Sequence, residues 1–338
     1  MQQVGEFGHP WPLVELRART RISTTELEKK VGRVITENDY NVVATGPTMI
    51  TKPNGDPLMI YLPKAIPEDM ADQAYEVLHT IKAKTDNRGL ASGTNPINKG
   101  SRTPNDHQVR SHLVMSSIIG NFDPMGGRHP YCRTTAWTGS NADEFSALFP
   151  AFEWCGELFK AYKPDRYAVQ MKYVNGTKRD WRIGQTPFST MTVNNTYPTG
   201  VHKDVGDLHE GFSNLFTLRR GDYTGGVLTF PEYRIAVDMQ DRDLILMDAH
   251  EWHGNTAIDV RSEDAERISC VLYYRTRMAQ CGTMEEEIAK ARAAMDRGLG
   301  LDDLEPEVRD TITTNMGCLL YTSPSPRDRT RSRMPSSA

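Results

Sequence analysis

The 338-residue sequence has only five cysteines, no internal repeat, no excess of positive charge and no apolar run near the roughly 18 residues of a membrane span. Each absence excludes something. Cys132, Cys155, Cys270, Cys281 and Cys318 show neither the paired spacing of a zinc site nor the density of a disulfide scaffold, so they are expected to be reduced, packed thiols of an intracellular protein. Met1-Gln-Gln-Val-Gly-Glu6 lacks the basic-then-apolar order of a secretion signal, and no membrane association is expected. A net charge of −4 excludes a protein that coats nucleic acid non-specifically; any such contact must come from a local basic patch. The apolar fraction of 38% and charged fraction of 25% suit a globular chain with one substantial core and an added layer, or two small domains.

Composition shifts abruptly at residues 318–338, which turn to Ser, Pro and alternating Arg. Four arginines and one aspartate give this segment +3, leaving −7 for residues 1–317. It resembles a translated adapter read-through, is expected to be a non-native disordered tail, and carries no functional argument. Upstream, residues 1–30 read as a polar arm without periodicity. Residues 40–50 and 57–62 read as strands around the turn Pro53-Asn-Gly-Asp56. A helix is expected over 67–84, with Ala71, Ala74, Val77, Leu78 and Ile81 on one face. Residues 85–130, rich in Gly, Asn, Ser and Pro, read as loop, and 144–162 as helix. Thr283-x-x-Glu286 is a capping box that opens a last helix ending at Gly298.

The chemistry is concentrated between Val201 and Arg275. In His202-Lys-Asp204 the two outer residues point the same way on a strand. Together with His253 they could occupy one face of an octahedral Fe(II), leaving positions for a co-substrate and O2. Short β-rich runs at 227–230, 235–239 and 243–247 lead to Trp252-His253. The run Arg267-Ile-Ser-Cys-Val-Leu-Tyr-Tyr-Arg275 alternates, with Arg267, Ser269, Tyr273 and Arg275 on one face and Ile268, Cys270 and Leu272 on the other. The planar fork of Arg267 suits the distal carboxylate of a 2-oxo acid; the bland alternative is a salt bridge within the protein. His250 competes with His253 for the ligand role, whereas His209 reads as a surface residue. Asn194 either contacts the co-substrate or caps a turn. Lys178-Arg-Asp-Trp-Arg182 either grips a DNA backbone or is a solvated turn.

The block Thr192-Val-Asn-Asn-Thr-Tyr-Pro-Thr-Gly-Val-His-Lys-Asp-Val-Gly-Asp207, with Tyr223-Thr-Gly-Gly-Val-Leu-Thr-Phe-Pro-Glu-Tyr233 and Trp252-His-Gly-Asn-Thr256, resembles the TET/J-binding-protein family, in its phage, fungal and algal branch. Asn87-Arg-Gly-Leu-Ala-Ser-Gly93 and Pro130-Tyr-Cys-Arg-Thr-Thr-Ala136 resemble it less diagnostically. The resemblance implies an Fe(II)/2-oxoglutarate-dependent dioxygenase that oxidises the 5-methyl group of 5-methylcytosine in DNA to 5-hydroxymethylcytosine, with repeated oxidation open. It implies His202, Asp204 and His253 as metal ligands and catalytic centre. Arg267 becomes the 2-oxoglutarate anchor, with Ser269 and Asn194 beside it; Asp207, Tyr273 and Arg275 would meet the base. An ionised Asp207 accepts only, which suits the amino group of cytosine better than the carbonyl of thymine; its alternative is an ion pair with Arg275. The base must be flipped out or single-stranded to reach a buried iron. The expected setting is intracellular, in a phage-infected bacterium or a eukaryotic nucleus.

The expected architecture is mostly β with flanking helices, a double-stranded β-helix or jelly roll. Its parts are an arm at 1–30, an α/β region at 31–165, the oxygenase core at 166–282, a helical segment at 283–317 and the tail. Other activities fit the same triad: thymine or other 5-methylpyrimidine hydroxylation, ascorbate-dependent glyceryl transfer to 5-methylcytosine, and oxygenation of a free nucleotide, of a small molecule or of a protein. A binding module without catalysis is the reading from outside enzymology.

Overall fold

The computed structural model describes residues 12–85, 88–92, 113–125 and 129–299. Its main sheet runs in the order Val14–Arg17, Thr48–Thr51, Pro57–Leu62, Leu244–Met247, Ser213–Arg220, Glu266–Tyr273, Thr190–Asn195, Val114–Phe122 and Lys84–Thr85, with Arg133–Thr134 pairing beside Val114–Phe122. All of these pairings are antiparallel except that of Val14–Arg17 with Thr48–Thr51. A smaller sheet, Gly254–Asn255, Leu228–Phe230, Ile235–Val237 and Val42–Ala44, forms a second layer. Two β layers enclosing one cavity, with helices outside, form the expected jelly-roll core.

The Glu266–Tyr273 strand shows how alternation builds the layers. Ile268, Cys270 and Leu272 are fully buried in the cluster that includes Phe152, Cys155 and Phe159 of the Phe149–Tyr162 helix and Ala71, Ala74 and Leu78 of the Glu68–Leu78 helix. Arg267, Ser269, Val271 and Tyr273 face the other way and line the cavity. On that side Leu215 packs with Leu228, Phe230, Ile235 and Val237, joining the small sheet to the large one. The strand thus has a dry face that holds the helices and a polar face that serves the site.

Several expected elements are placed differently. The 1–30 region contains a strand, Val14–Arg17, and a helix, Thr24–Glu28, capped by Ser23 and Glu26. Within 85–130, read as loop, Val114–Phe122 is a nine-residue strand of the main sheet; its apolar residues do not alternate, and Gly120 at φ +91 breaks its regularity. The 166–282 segment starts inside a helix, Pro164–Gly176, and the sheet draws on strands from far upstream. Both hydrogen bonds of the Thr283/Glu286 capping box are present, and the helix runs Met284–Leu299. The tail lies outside the described residues.

The cysteine reading needs correction. Cys132 and Cys281 form a disulfide across 149 residues, with Cα atoms 5.8 Å apart. The fold, not a local spacing, brings the partners together. Cys155 and Cys270 are free and buried, and Cys318 lies outside the described residues. No described helix is long and apolar enough to cross a membrane.

Because neighbouring residues of one strand serve opposite layers, Leu272→Ala is expected to cost about 3 kcal/mol, and Val271→Ala, on the cavity side, about 1 kcal/mol. Urea unfolding at unchanged m value measures both; equal costs would contradict this division of the strand.

Candidate active site

His202 and His253 form an isolated antiparallel bridge. The His202 N–H donates to the His253 carbonyl at 2.9 Å and the His253 N–H returns the bond at 3.0 Å. The side chains leave this pair on the same side, with ring centroids 4.3 Å apart. Asp204 is fixed by its own N–H, which donates to the Ala249 carbonyl at 2.9 Å. The backbone thereby sets the three side chains before any ligand arrives. Close approach here requires glycine: a Cβ on Gly200 would meet the Gly32 backbone at 2.7 Å.

Each imidazole is also oriented. His202 Nδ1 lies 2.8 Å from the Gly200 carbonyl and His253 Nδ1 2.9 Å from the Glu251 carbonyl. A carbonyl only accepts, so Nδ1 carries the proton and Nε2 offers its lone pair. His202 Nε2 is 3.3 Å from Asp204 Oδ1, and His253 Nε2 is 3.9 Å from Asp204 Oδ2. The three ligand atoms all lie within 4.8 Å of one another. The His253 loop is braced by Lys52, whose Nζ is 3.0 Å from both Asp248 and Glu251, and by Tyr233, whose hydroxyl donates to Glu251 at 2.9 Å.

The charges fit a cation. Burial, followed by the neighbouring His202, pushes His253 down to about 4, keeping it neutral. Burial disfavours an ionised Asp204, yet the neighbouring His202 and His253 imidazoles bring it down to about 2. Burial likewise opposes charge on His202, but Asp204 raises its pKa on balance. Two nitrogen donors and one carboxylate on one side of a cavity suit a divalent transition ion that keeps positions open. His250 is turned elsewhere: its Nδ1 is 3.2 Å from Asp248 and its ring stacks on exposed His209 at 4.8 Å.

The cavity of about 570 Å³ is lined by His202, Asp204, His253, Asn194, Arg267 and Ser269, and by Asp207, Tyr273 and Arg275. Arg267 is 2% exposed, donates to Ser269 Oγ at 2.9 Å, and has no carboxylate within 4.0 Å among the described residues. A buried guanidinium without a protein anion is set to receive a guest carboxylate. Its room comes from Gly226, where a Cβ would sit 3.0 Å from the Arg267 side chain. Asn194 lies within a strand, opposite Ser269 and Ser116, so the turn-capping alternative does not hold.

Asp207 accepts a hydrogen bond from Ser213 Oγ at 3.0 Å. Burial and then the Asp204 charge push it up to about 7. Arg275 meets Asp207 through a backbone bridge, but its Nε pairs with Asp123 at 2.6 Å and its guanidinium lies 3.9 Å over Phe122. The alternative reading, a side-chain ion pair between Asp207 and Arg275, gives way to the Arg275–Asp123 pair. Within the Lys178–Arg182 cluster, Trp181 is buried and donates to the Gly282 carbonyl and Arg182 donates to the Asn175 and Thr177 carbonyls, while Lys178 and Arg179 are exposed. Sequence reasoning missed Asp123, Lys52 and the cavity position of Arg88; only the resemblance of the segment 87–93 hinted at the last.

Residues 119–276 match the Tet_JBP family, described as the oxygenase domain of the 2OGFeDO superfamily. A protein named Thymine dioxygenase JBP1 from Trypanosoma brucei brucei (strain 927/4 GUTat10.1) is 30% identical over 273 residues, covering 79% of this chain and 30% of the relative. Its namesake from Leishmania braziliensis is 31% identical over 235 residues, covering 69% of this chain and 26% of the relative. The chain therefore spans at most about 30% of the length of these curated relatives. A solved structure titled NgTET1 in complex with 5mC DNA shares the fold, with TM-score 0.51 and 13% identity over 80% of this chain and 99% of that one.

One divalent ion per chain is expected in an anaerobic Fe(II) or Co(II) titration. His253→Ala should lower the affinity at least about 10-fold, whereas His250→Ala should leave it nearly unchanged. Loss of binding only in the His250 variant would move the ligand role there.

Proposed function

The chain belongs to the TET/JBP family of 2-oxoglutarate- and Fe(II)-dependent oxygenases, and we propose that it oxidises the 5-methyl group of a pyrimidine in DNA, 5-methylcytosine foremost. The observation that carries this reading is the convergence on one cavity of the His202/Asp204/His253 group and of Arg267, which meets Ser269 but no carboxylate within 4.0 Å among the described residues. Fe(II) with 2-oxoglutarate and O2, when bound, supplies the oxidising chemistry, coupling decarboxylation of the 2-oxo acid to insertion of one oxygen atom into a C–H bond. The protein does the rest. His202, Asp204 and His253 would hold the metal through atoms already aimed at one point. Arg267 and Ser269 would take the distal carboxylate, and the apolar walls, Leu215, Leu228 and Val271 among them, would exclude water. A flipped base would lie against Tyr273, with its exocyclic group toward Asp207.

Thymine is the second reading, favoured by the names of the curated relatives and by Asp207 itself. At about 7, its carboxyl is split between two forms near neutral pH. The ionised form accepts from the amino group of cytosine; the protonated form can donate to the carbonyl of thymine. A cation beside Asp204 would offset that residue's charge and move the crossover downward.

Incubation with Fe(II), 2-oxoglutarate, O2 and DNA carrying both bases, with mass spectrometry of the nucleosides, tests the activity. No oxidised pyrimidine would sink the reading. Arg267→Ala should keep the metal yet raise the 2-oxoglutarate requirement about 10-fold or more, from the loss of a charge-assisted contact. An unchanged requirement would remove Arg267 from the co-substrate site.

Base choice should depend on pH. The ratio of thymine to 5-methylcytosine oxidation is expected to be highest below the Asp207 pKa and to fall as pH rises through it. Asp207→Asn, whose amide donates and accepts at every pH, should flatten that dependence. The same slope in wild type and variant would take Asp207 out of base reading.

A further inference from the structure

A second, smaller cavity of about 240 Å³ adjoins the first, and Arg88 and Ile118 line both. It lies on the flank of the main sheet, against Val114–Phe122, two strands from Glu266–Tyr273 and so roughly 10 Å across the sheet from the strand that bears Arg267. Its wall holds two guanidiniums, Arg88 and Arg133, the hydroxyl residues Thr85, Ser116 and Thr135, and the ring of Phe122. No Asp or Glu lines it among the described residues.

The cations here are not equivalent. Arg275 stacks on Phe122 at 3.9 Å, but its charge is met by Asp123. Arg133 lies 4.8 Å from the same ring. Arg88 has a buried Nε without a hydrogen-bond partner and no carboxylate within 4.0 Å among the described residues. A buried guanidinium cannot shed its proton, and leaving it unmet is costly. The two chain segments that meet here, around Arg88 and around Arg133, are those whose resemblance to the family was only weakly diagnostic in sequence. Neither has a part in holding the metal or the distal carboxylate.

We infer that this side cavity is a receptor for an anion, namely a phosphodiester of the DNA strand next to the nucleotide whose base occupies the larger cavity. The inference rests on the functional reading above. Three features favour the diester over a small co-substrate. The distal carboxylate of the 2-oxo acid already has Arg267. The side cavity lies beside Lys84–Thr85, the last strand at this end of the main sheet, and away from the strand that bears Arg267. The two cavities also share a wall at Arg88, as a flipped base and its own backbone require. Arg88 and Arg133 are positioning residues here, fixing the strand so that the methyl group is presented.

The test uses the full chain and a short 5-methylcytosine oligonucleotide in which single phosphates flanking the target are replaced by neutral methylphosphonates, with binding read by fluorescence anisotropy. One flanking replacement should weaken binding to wild type about 10-fold, as expected for a lost charge-assisted contact. The same replacement should have little further effect in an Arg88→Gln/Arg133→Gln variant. The slope of log K against log salt should fall by about 1 per lost contact, while Arg133→Lys should retain most of the affinity. The half-saturating 2-oxoglutarate concentration should stay unchanged in Arg133→Gln. Methylphosphonates at neither flank mattering, or variants that alter 2-oxoglutarate binding and not DNA binding, would overturn the assignment and give the cavity to a small anion. DNA that binds with this phosphate sensitivity but is never oxidised would overturn the functional reading and leave the receptor standing. DNA that is oxidised without phosphate sensitivity would do the reverse.

Discussion

The reciprocal backbone pair between His202 and His253 is the constraint on which the site depends. Two residues 51 positions apart in the sequence are held as neighbours by two peptide hydrogen bonds, so their imidazoles need no ligand to be brought together. Peptide bonds are a better foundation than side-chain contacts, because each buried N–H and C=O must be paired in any case and the pairing has one geometry. The second carbonyl contact of each histidine, from Nδ1, then removes the tautomer choice. Asp204 joins through Ala249 on the same loop that delivers His253. The placing of the candidate ligand atoms is thus an outcome of backbone register, and the N-terminal segment takes part through Lys52 and Gly32.

The same economy governs the Glu266–Tyr273 strand. A one-residue slip would turn Arg267 and Ser269 into the helix layer and put Ile268 and Cys270 in the cavity. Burial of Ile268, Cys270 and Leu272 against the helices therefore fixes the register that exposes Arg267 to the site. Packing on one face specifies chemistry on the other. This explains why so buried a cation is tolerated: the hydrophobic gain belongs to its neighbours, and Arg267 is carried into place by them.

What was legible in sequence follows from these physics. Period-two alternation exposed both faces of residues 267–275, and His-x-Asp exposed a same-side pair, because both signals lie within one strand. Val114–Phe122 stayed hidden since adjacent Ile118 and Ile119 and a left-handed Gly120 obscure its period. Residues 1–30 gave no periodicity because the four-residue strand Val14–Arg17 is exposed throughout. The Cys132–Cys281 bond, the Arg275–Asp123 pair and the Lys52 brace all join residues more than 140 positions apart. No local pattern encodes such partners. The upward push on Asp207 has the same origin: the burial that raises its pKa exists only in the fold.

Charge makes the last point. A chain with −7 over residues 1–317 has no global attraction for a polyanion, yet its buried cations are unevenly placed. Arg267 and Arg88 have no carboxylate within 4.0 Å among the described residues, while Arg219, Arg220 and Arg242 elsewhere are paired with Asp238, Asp72, Asp241 or Glu68. Fields from cations in a low-dielectric cleft are focused there rather than screened, so local sign decides what enters. Under the proposed function, a chain of negative net charge would draw in nucleic acid only where a strand can deliver anions to such guanidiniums. Net charge then works, under the same proposal, as a filter on non-specific contact, and the specificity of binding comes from Arg267 and Arg88, which have no carboxylate within 4.0 Å among the described residues.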